Sequence, residues 1–513
     1  MSLLTSLDAD FGTVAGLIGE VAQAAPERPA LIEGERQLSF GELDRLIDMI
    51  AAKLLTEGLA PRDAIAICAA TSLEYVAVFL GALRAGIAVA PLAPSSTPEA
   101  LATMAADSGA KLLFLDATTR ASLAAVDLPR VSLDDTPPEQ NFSEWRGRES
   151  ARPPAIEIAP DWVFNIIYSS GTTGTPKGIE QSHMMRWFHV RRLGQDAYGP
   201  DARTMISTPL YSNTTLVCLF PTLANGGAAI LMRKFVARDF LALAQDHRAT
   251  HAMLVPVQYS RIMALPDFDS YDLSSFQLKL STSAPFSAAL KRDILQRWPG
   301  RLVEYYGMTE GGGACILHAH EFPDKLHTVG QPAPGHDIRL IDEQGREVAQ
   351  GEAGEVVGRS SSVMNGYHNQ PDKTREAEWF DAEGRRYIRT GDIGRFDADG
   401  FLTLLDRRKD MIISGGFNIY PSDLESVLIQ NDAVEEASVV GVASAAWGET
   451  PVAFVVPKPG AAPDAEALRE WVNARVGKTQ RLAALRLVES LPRSAIGKVL
   501  KRELREAFDG KVA

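Results

Sequence analysis

Tyr168-Ser-Ser-Gly-Thr-Thr-Gly-Thr-Pro-Lys-Gly178 is the stretch on which the reading of the chain turns. Before it, Trp162-Val-Phe-Asn-Ile-Ile167 is apolar and rich in aromatic and β-branched residues, which predicts a buried strand. After the strand come hydroxyls, glycines and one lysine. Glycines let backbone N–H groups converge, hydroxyls add donors and Lys177 adds a positive charge, a combination suited to polyphosphate. A Walker-type loop would end in Gly-Lys-Ser/Thr and launch a helix. Here Pro176 precedes Lys177 and Gly178 follows, so that pattern fails. A flexible Ser/Gly linker is the competing reading, but linkers seldom follow a buried strand directly.

The chain has 513 residues, enough for more than one domain and a large core. Its net charge of −13 argues against nucleic acid and anionic membrane surfaces as partners, so anionic ligands must be captured by local cations. Cys68, Cys218 and Cys315 are far apart and odd in number, which fits no disulfide framework and points to a reducing cytoplasm. Residues 1–25 lack a basic leader, and the most apolar stretch, 75–94, is broken by Gly81, Arg84, Gly86, Pro91 and Pro94. No signal peptide or integral membrane segment is expected.

Residues 12–130 alternate helical and strand patterns. Ser39-Phe-Gly-Glu42 and Thr71-Ser-Leu-Glu74 match the capping box and predict helices over 43–57 and 75–85. Strand patterns at 63–70, 111–115, 205–208, 228–232, 251–255 and 277–281 imply parallel sheet covered by helices. Residues 131–160 read as a surface connection, and 329–401 as a β-rich subdomain of short strands and Gly/Asp turns. The fold class is therefore α/β: a large N-terminal domain (1–406) of mixed and parallel sheets with flanking helices, including the β-rich subdomain, and a small α+β C-terminal domain (407–513).

Four later stretches gain meaning beside the first. They are Glu304-Tyr-Tyr-Gly-Met-Thr-Glu310, Tyr387-Ile-Arg-Thr-Gly-Asp392, Ile413-Ser-Gly-Gly-Phe-Asn418 and Pro492-Arg-Ser-Ala-Ile-Gly-Lys498. Singly, each has a bland explanation as core tyrosines, a turn aspartate, a glycine turn or a surface lysine. Together, in this order, they resemble the adenylate-forming (AMP-binding) superfamily of acyl- and aryl-CoA synthetases over residues 15 to 505.

The resemblance implies an acid–thiol ligase working in two steps. A carboxylate attacks the α-phosphate of ATP to give an acyl-adenylate and pyrophosphate; the thiol of CoA then takes the acyl group and AMP leaves. It implies ATP, Mg2+ and CoA as cofactors and a small carboxylic acid as substrate, and is compatible with a homodimer. By position it makes Lys498, Thr309, Glu310 and Lys177 the catalytic residues, with Glu310 holding the metal. ATP and AMP contacts fall on Ser169, Ser170, Gly171, Thr172, Thr173, Gly174, Thr175 and Lys177. Ser283, Tyr305, Tyr306, Gly307, Thr309, Asp392 and Arg407 complete that set, with Tyr306 on adenine and Asp392 and Arg407 on ribose.

Lys409 matches the hinge about which the mobile C-terminal domain turns between the two steps. Gly415, Gly416, Trp447 and Arg481 are CoA-binding candidates, although Trp447 reads equally well as core. Arg191, Ser212, Asn213, Thr214, Met253, Gly312 and Gly313 are candidates for the acyl pocket, with Gly311-Gly-Gly313 leaving room. Arg191 could pair a second carboxylate, against the plainer reading of an exposed helix arginine.

Two departures stand out. Ser212 replaces an aromatic or histidine gate, and Ser281-Thr-Ser-Ala-Pro285 lacks the usual glycine before Ala-Pro. Aromatic, medium-chain aliphatic and short branched acids all fit. A stand-alone enzyme loading a carrier-protein phosphopantetheine, and a catalytically silent ligand-binding homologue, are the alternatives. His318, His320 and His327 hint at zinc, but no fourth ligand falls at a suitable spacing.

Overall fold

The computed structural model describes residues 7, 9–147, 152–169, 176–194, 197–407, 410–414, 417–444, 447–477, 480–494 and 497–508. By packing, the chain divides into two units. One holds Met1–Leu326, Pro332–Asp337 and Gly358–Ile388; the other holds His327–Gln331, Ile338–Val357 and Arg389–Ala513. Packing thus groups much of the β-rich region with the C-terminal segment, a different division from the boundary expected at 406.

Two sheets build the first unit. Eight neighbouring strands of one run, in order, Cys315–His318, Arg301–Tyr306, Leu278–Ser281, His251–Leu254, Arg203–Ile206, Ala228–Leu231, Pro29–Glu33 and Arg36–Ser39. Its six inner strands are parallel, and the two outer ones antiparallel. The other sheet runs Gly366–Tyr367, Lys177–Ser182, Val163–Ser169, Ala88–Pro91, Ala64–Cys68, Ala110–Leu115, Arg130–Ser132 and Gln140–Asn141. A single core joins both sheets through the helices Val14–Ala24, Phe40–Thr56, Leu73–Arg84, His183–Gly194 and Asn213–Ala224. At its centre Phe79, Phe164 and Phe220 meet with ring centres 5.3, 5.5 and 6.0 Å apart, so removing one ring would cost ~3–5 kcal/mol.

Local signals set the helix starts. The Ser39–Glu42 capping box is present. At the second box, however, Ser72 rather than Thr71 caps the helix, its hydroxyl accepting from the Tyr75 N–H. The described part of residues 131–160 is more than a surface connection. Two short strands extend the sheet there, because Trp145 is buried edge-on to Phe114 and donates from Nε1 to Glu57 at 2.9 Å.

In the second unit, strands Ile412–Ser414, Phe417–Ile419, Val434–Ser444, Gly448–Pro457 and Ala484–Leu487 form a sheet. Helices Pro421–Ile429 and Ala465–Asn473 close a core over it through Leu424, Leu428, Leu468 and Val472. Among the described residues no helix is long and apolar enough to cross a membrane.

Candidate active site

The Val163–Ser169 strand does not lead into a helix. The chain returns as Lys177–Ser182, antiparallel and with Ser169 opposite Lys177. Ser170, Gly171, Thr172, Thr173, Gly174 and Thr175 lie outside the described residues. What the structure places is the base on which they stand, and two side chains there were not legible in the sequence.

Gln181, on the return strand, donates from Nε2 to the Thr309 carbonyl at 2.7 Å and to Asn213 Oδ1 at 3.4 Å. Its own carbonyl accepts from Asn165 at 3.0 Å and from Arg186. Arg186 also donates twice to Asn165 Oδ1, at 3.2 and 3.0 Å. These groups are fully buried, so their mutual bonds are the only cheap way to keep them dry.

Tyr367 is the second. Its backbone pairs with Ile179 of the return strand. Its hydroxyl donates to Glu310 Oε1 at 2.9 Å, and Lys177 Nζ stands 5.1 Å from its ring centre. Burial, then the Glu310 charge and hydrogen bond, push the phenol above its ordinary value, so it stays a donor through the working pH range.

Tyr305 and Tyr306 end the Arg301–Tyr306 strand, paired with Ile316 and Cys315. Gly307 follows, exposed, and leads to Thr309 and Glu310. Glu304, by contrast, is buried against Lys291 and serves the core. Gly311 and Gly312 do not leave room as expected. Gly311 has φ +72° and a Cβ there would lie 2.2 Å from the Ser362 carbonyl; Gly312 has φ +88° and its Cβ would lie 2.8 Å from the Gly358 carbonyl. They are glycines because the Glu310 loop is pressed against 358–362, with the Gly312 N–H bonded to Ser362 at 2.9 Å and Met364 N–H to Glu310 at 2.9 Å. Gly313 follows, half-buried.

Ser283 has φ +80°, a conformation that favours glycine. Its hydroxyl bonds Thr214 Oγ1 at 2.7 Å, which compensates. Ser212 precedes the Asn213–Ala224 helix and is buried. Met253 sits in the main core at 2% exposure, so it packs rather than lining an open pocket. Arg191 is half-buried, while its neighbour Arg192 faces Tyr305 and His336. His318, His320 and Glu321 put one ligand atom each within 4.8 Å. Burial pushes the pKa of His318 down, the Glu321 charge pulls the other way, and His320 and Arg301 add to the lowering.

In the second unit Asp392 and Arg407 lie opposite each other on paired strands, Nε to Oδ1 2.9 Å. Asp392 is buried, and its N–H donates to Thr390 Oγ1 at 3.0 Å. Lys498, half-buried, closes a tight turn: Ser494 N–H donates to its carbonyl at 2.8 Å, and its own N–H to Ser494 Oγ at 3.2 Å. Arg493, tied to Glu436 at 2.8 Å, braces that turn through the Gly497 carbonyl at 2.8 Å. Lys409, Gly415 and Gly416 lie outside the described residues. Trp447 is 57% exposed, which removes its reading as core, and Arg481 is exposed.

A model of the AMP-binding enzyme family matches residues 18–368, and one of the AMP-binding enzyme C-terminal domain matches 423–498. The chain belongs to the AMP-binding enzymes. It is an adenylate-forming enzyme of acyl-CoA synthetase type, as the five motifs implied. The enzyme is 33% identical to a feruloyl-CoA synthase of Amycolatopsis sp, over 95% of this chain and 97% of that one. It is 31% identical to a fatty acid–acyl-carrier-protein ligase of Streptomyces coeruleorubidus, over 96% of each. Among solved structures, an amide bond synthetase from Marinactinospora thermotolerans superposes with a TM-score of 0.86 at 26% identity, covering 96% of this chain and 99% of that one.

Proposed function

We propose that the enzyme activates a small carboxylic acid with ATP as an acyl-adenylate, releasing pyrophosphate, and passes the acyl group to the thiol of CoA. The observation that carries this is the coupling of the return strand of the 170–175 loop to the Thr309–Glu310 pair. Gln181 grips the Thr309 carbonyl and Tyr367 grips the Glu310 carboxylate. The return strand that begins at Lys177 and the hydroxyl–carboxylate pair are thereby held in fixed register. Phosphoryl chemistry of this kind needs positioning and charge neutralisation more than proton transfer.

In this reading Lys177 and the loop hydroxyls hold the β- and γ-phosphates. Thr309 donates to the α-phosphate, and Tyr306 stacks on adenine. Asp392, kept in place by Arg407, accepts from the ribose hydroxyls. Lys498 brings a cation to the oxygens on which charge builds. Asn213, Thr214 and Ser212 stand at the acyl side. Glu310 fits Mg2+: it is a hard oxygen donor whose Oε1 is anchored by Tyr367, while Oε2 makes no hydrogen bond among the described residues. When bound, Mg2+ would screen the phosphate charge. The part from 407 onward, turning near Lys409, would withdraw Lys498 and present Gly415, Gly416 and Trp447 to CoA.

We place the enzyme in a reducing cytoplasm; its three cysteines are buried and their thiols pushed up to about 12, mainly by burial. A carrier-protein thiol is the second reading for the acceptor, favoured by the Streptomyces coeruleorubidus relative. Pyrophosphate release from ATP across a panel of acids, with and without CoA, tests the proposal. Adenylate without acyl-CoA would turn it toward a carrier protein, and silence with every acid would refute it.

A further inference from the structure

The His183–Gly194 helix carries several nitrogen side chains with buried atoms that have no hydrogen-bond partner among the described residues. Arg186 gives its Nε and one terminal nitrogen to the Asn165 and Gln181 oxygens. Arg192, almost two turns on, has no carboxylate partner among the described residues, and its Nε is buried without a hydrogen bond. Its Cζ lies 5.6 Å from the centre of the Tyr305 ring, and one terminal nitrogen lies 3.4 Å from His336 Nε2. His189, one turn earlier on the same helix, is buried with Nδ1 unpartnered.

The His336 contact is more informative than a hydrogen bond would be. The Ala314 N–H donates to His336 Nδ1 at 2.9 Å, so Nδ1 is an acceptor. Burial and then the Arg192 charge push the ring's pKa down to about 4, so it is neutral and its one hydrogen sits on Nε2. The Nε2–H of His336 and an N–H of Arg192 therefore face each other, two donors 3.4 Å apart with no acceptor between them among the described residues. Such a pair is a poor internal contact and a good place for an anionic oxygen. It also lies where a substrate would extend: Ala314 directly follows the Gly311-Gly-Gly313 loop, and Tyr305 is the last residue but one of the strand that leads to Thr309.

We propose that Arg192 and His336 hold a second carboxylate of the acid being activated, so that the enzyme prefers dicarboxylic acids to monocarboxylic acids of the same shape. This rests on the acid-activating reading above and names its substrate class. Arg192 takes the role first considered for Arg191. A diacid satisfies the facing donors and the buried Arg192 Nε; a monoacid puts a methyl group against them. Sites built around unpaired donors reject the analogue lacking the acceptor strongly, and for a half-buried arginine a preference of about a hundredfold is expected.

The test uses the full-length enzyme and its Arg192→Met variant, with pyrophosphate release measured for hexanedioate against hexanoate and benzene-1,4-dicarboxylate against 4-methylbenzoate. Thermal melting is followed with and without each diacid. In at least one pair the diacid should have a kcat/KM about a hundredfold higher. The variant should lose that preference through KM while its kcat with the monoacid is kept. Because it removes an unpaired charge, the variant should melt at the same temperature or higher without ligand. The preferred diacid should raise the melting temperature of the wild type only.

Equal use of both members of every pair would overturn the inference and leave the ligase reading standing. A variant that melts lower and keeps the preference would also overturn it, since Arg192 would then have a counter-ion within the chain. Asp196, outside the described residues, would be the one to replace next. No pyrophosphate with any acid would refute the ligase reading, and the diacid-induced melting shift would then decide the Arg192 site by itself.

Discussion

Replacing Tyr367 by Phe removes one hydroxyl from the line Lys177–Tyr367–Glu310 and leaves the ring in place. The lost bond, 2.9 Å to a carboxylate oxygen, is charge-assisted and only half-buried. The handicap is therefore at the lower end of the ~1.5–3 kcal/mol range for such bonds, or about tenfold in adenylation. Tyr367→Ala also loses the contact of Lys177 Nζ, 5.1 Å from the ring centre, for roughly another 0.5–1 kcal/mol. Its adenylation should fall about thirtyfold or more. The assay is pyrophosphate release at several Mg2+ concentrations. If Glu310 is the metal ligand, Tyr367→Phe should need more Mg2+ to reach half-maximal rate, and thioester formation from supplied acyl-adenylate should be unchanged. A variant with wild-type rate and wild-type Mg2+ dependence would refute the anchoring role. So would equal loss of both half-reactions.

Further outcomes follow from the same geometry. Lys498→Ala should lower adenylation by about 10²–10³ while sparing thioester formation from supplied acyl-adenylate; equal loss in both would sink the account of a part that moves between the steps. Ser283→Ala keeps the φ of +80° and loses the 2.7 Å bond to Thr214, so urea unfolding should show a loss of ~1 kcal/mol, whereas Ser283→Gly, which relieves the strain, should be near neutral. His183 and His336 both have pKa values pushed down to about 4, His183 by burial alone and His336 by burial and then the Arg192 charge. Between pH 6.5 and 4 the unfolded chain takes up these protons and the folded one does not, so stability falls as pH drops through that window. His183→Gln should make that slope shallower by about one proton in pH-dependent urea midpoints, and an unchanged slope would count against the assignment.

The motifs were legible because each needs unusual residues in a fixed order. The Ser/Gly/Thr/Lys run, the Thr309–Glu310 pair and Asp392 can be found without a structure. The parallel strands were legible for a similar reason: buried strands read as short apolar runs, and their observed ends differ by only a few residues. Gln181, Asn165 and Tyr367 were invisible because their roles exist only once strands from 163, 177 and 366 are side by side. Nor could the sequence choose between Arg191 and Arg192. The helix that carries them packs in the core between two sheets and lacks a clean polar face from which its rotation could be read. Gly311 and Gly312 were found but explained wrongly, since the close approach of the 358–362 backbone is a tertiary fact.

The most direct test of the central claim is pyrophosphate release from ATP over a panel of mono- and dicarboxylic acids, each run with and without CoA. The account predicts turnover with a diacid, and AMP and acyl-CoA appearing together only when CoA is present. Absence of acid-dependent pyrophosphate with every acid, from an enzyme that melts cooperatively, would contradict it.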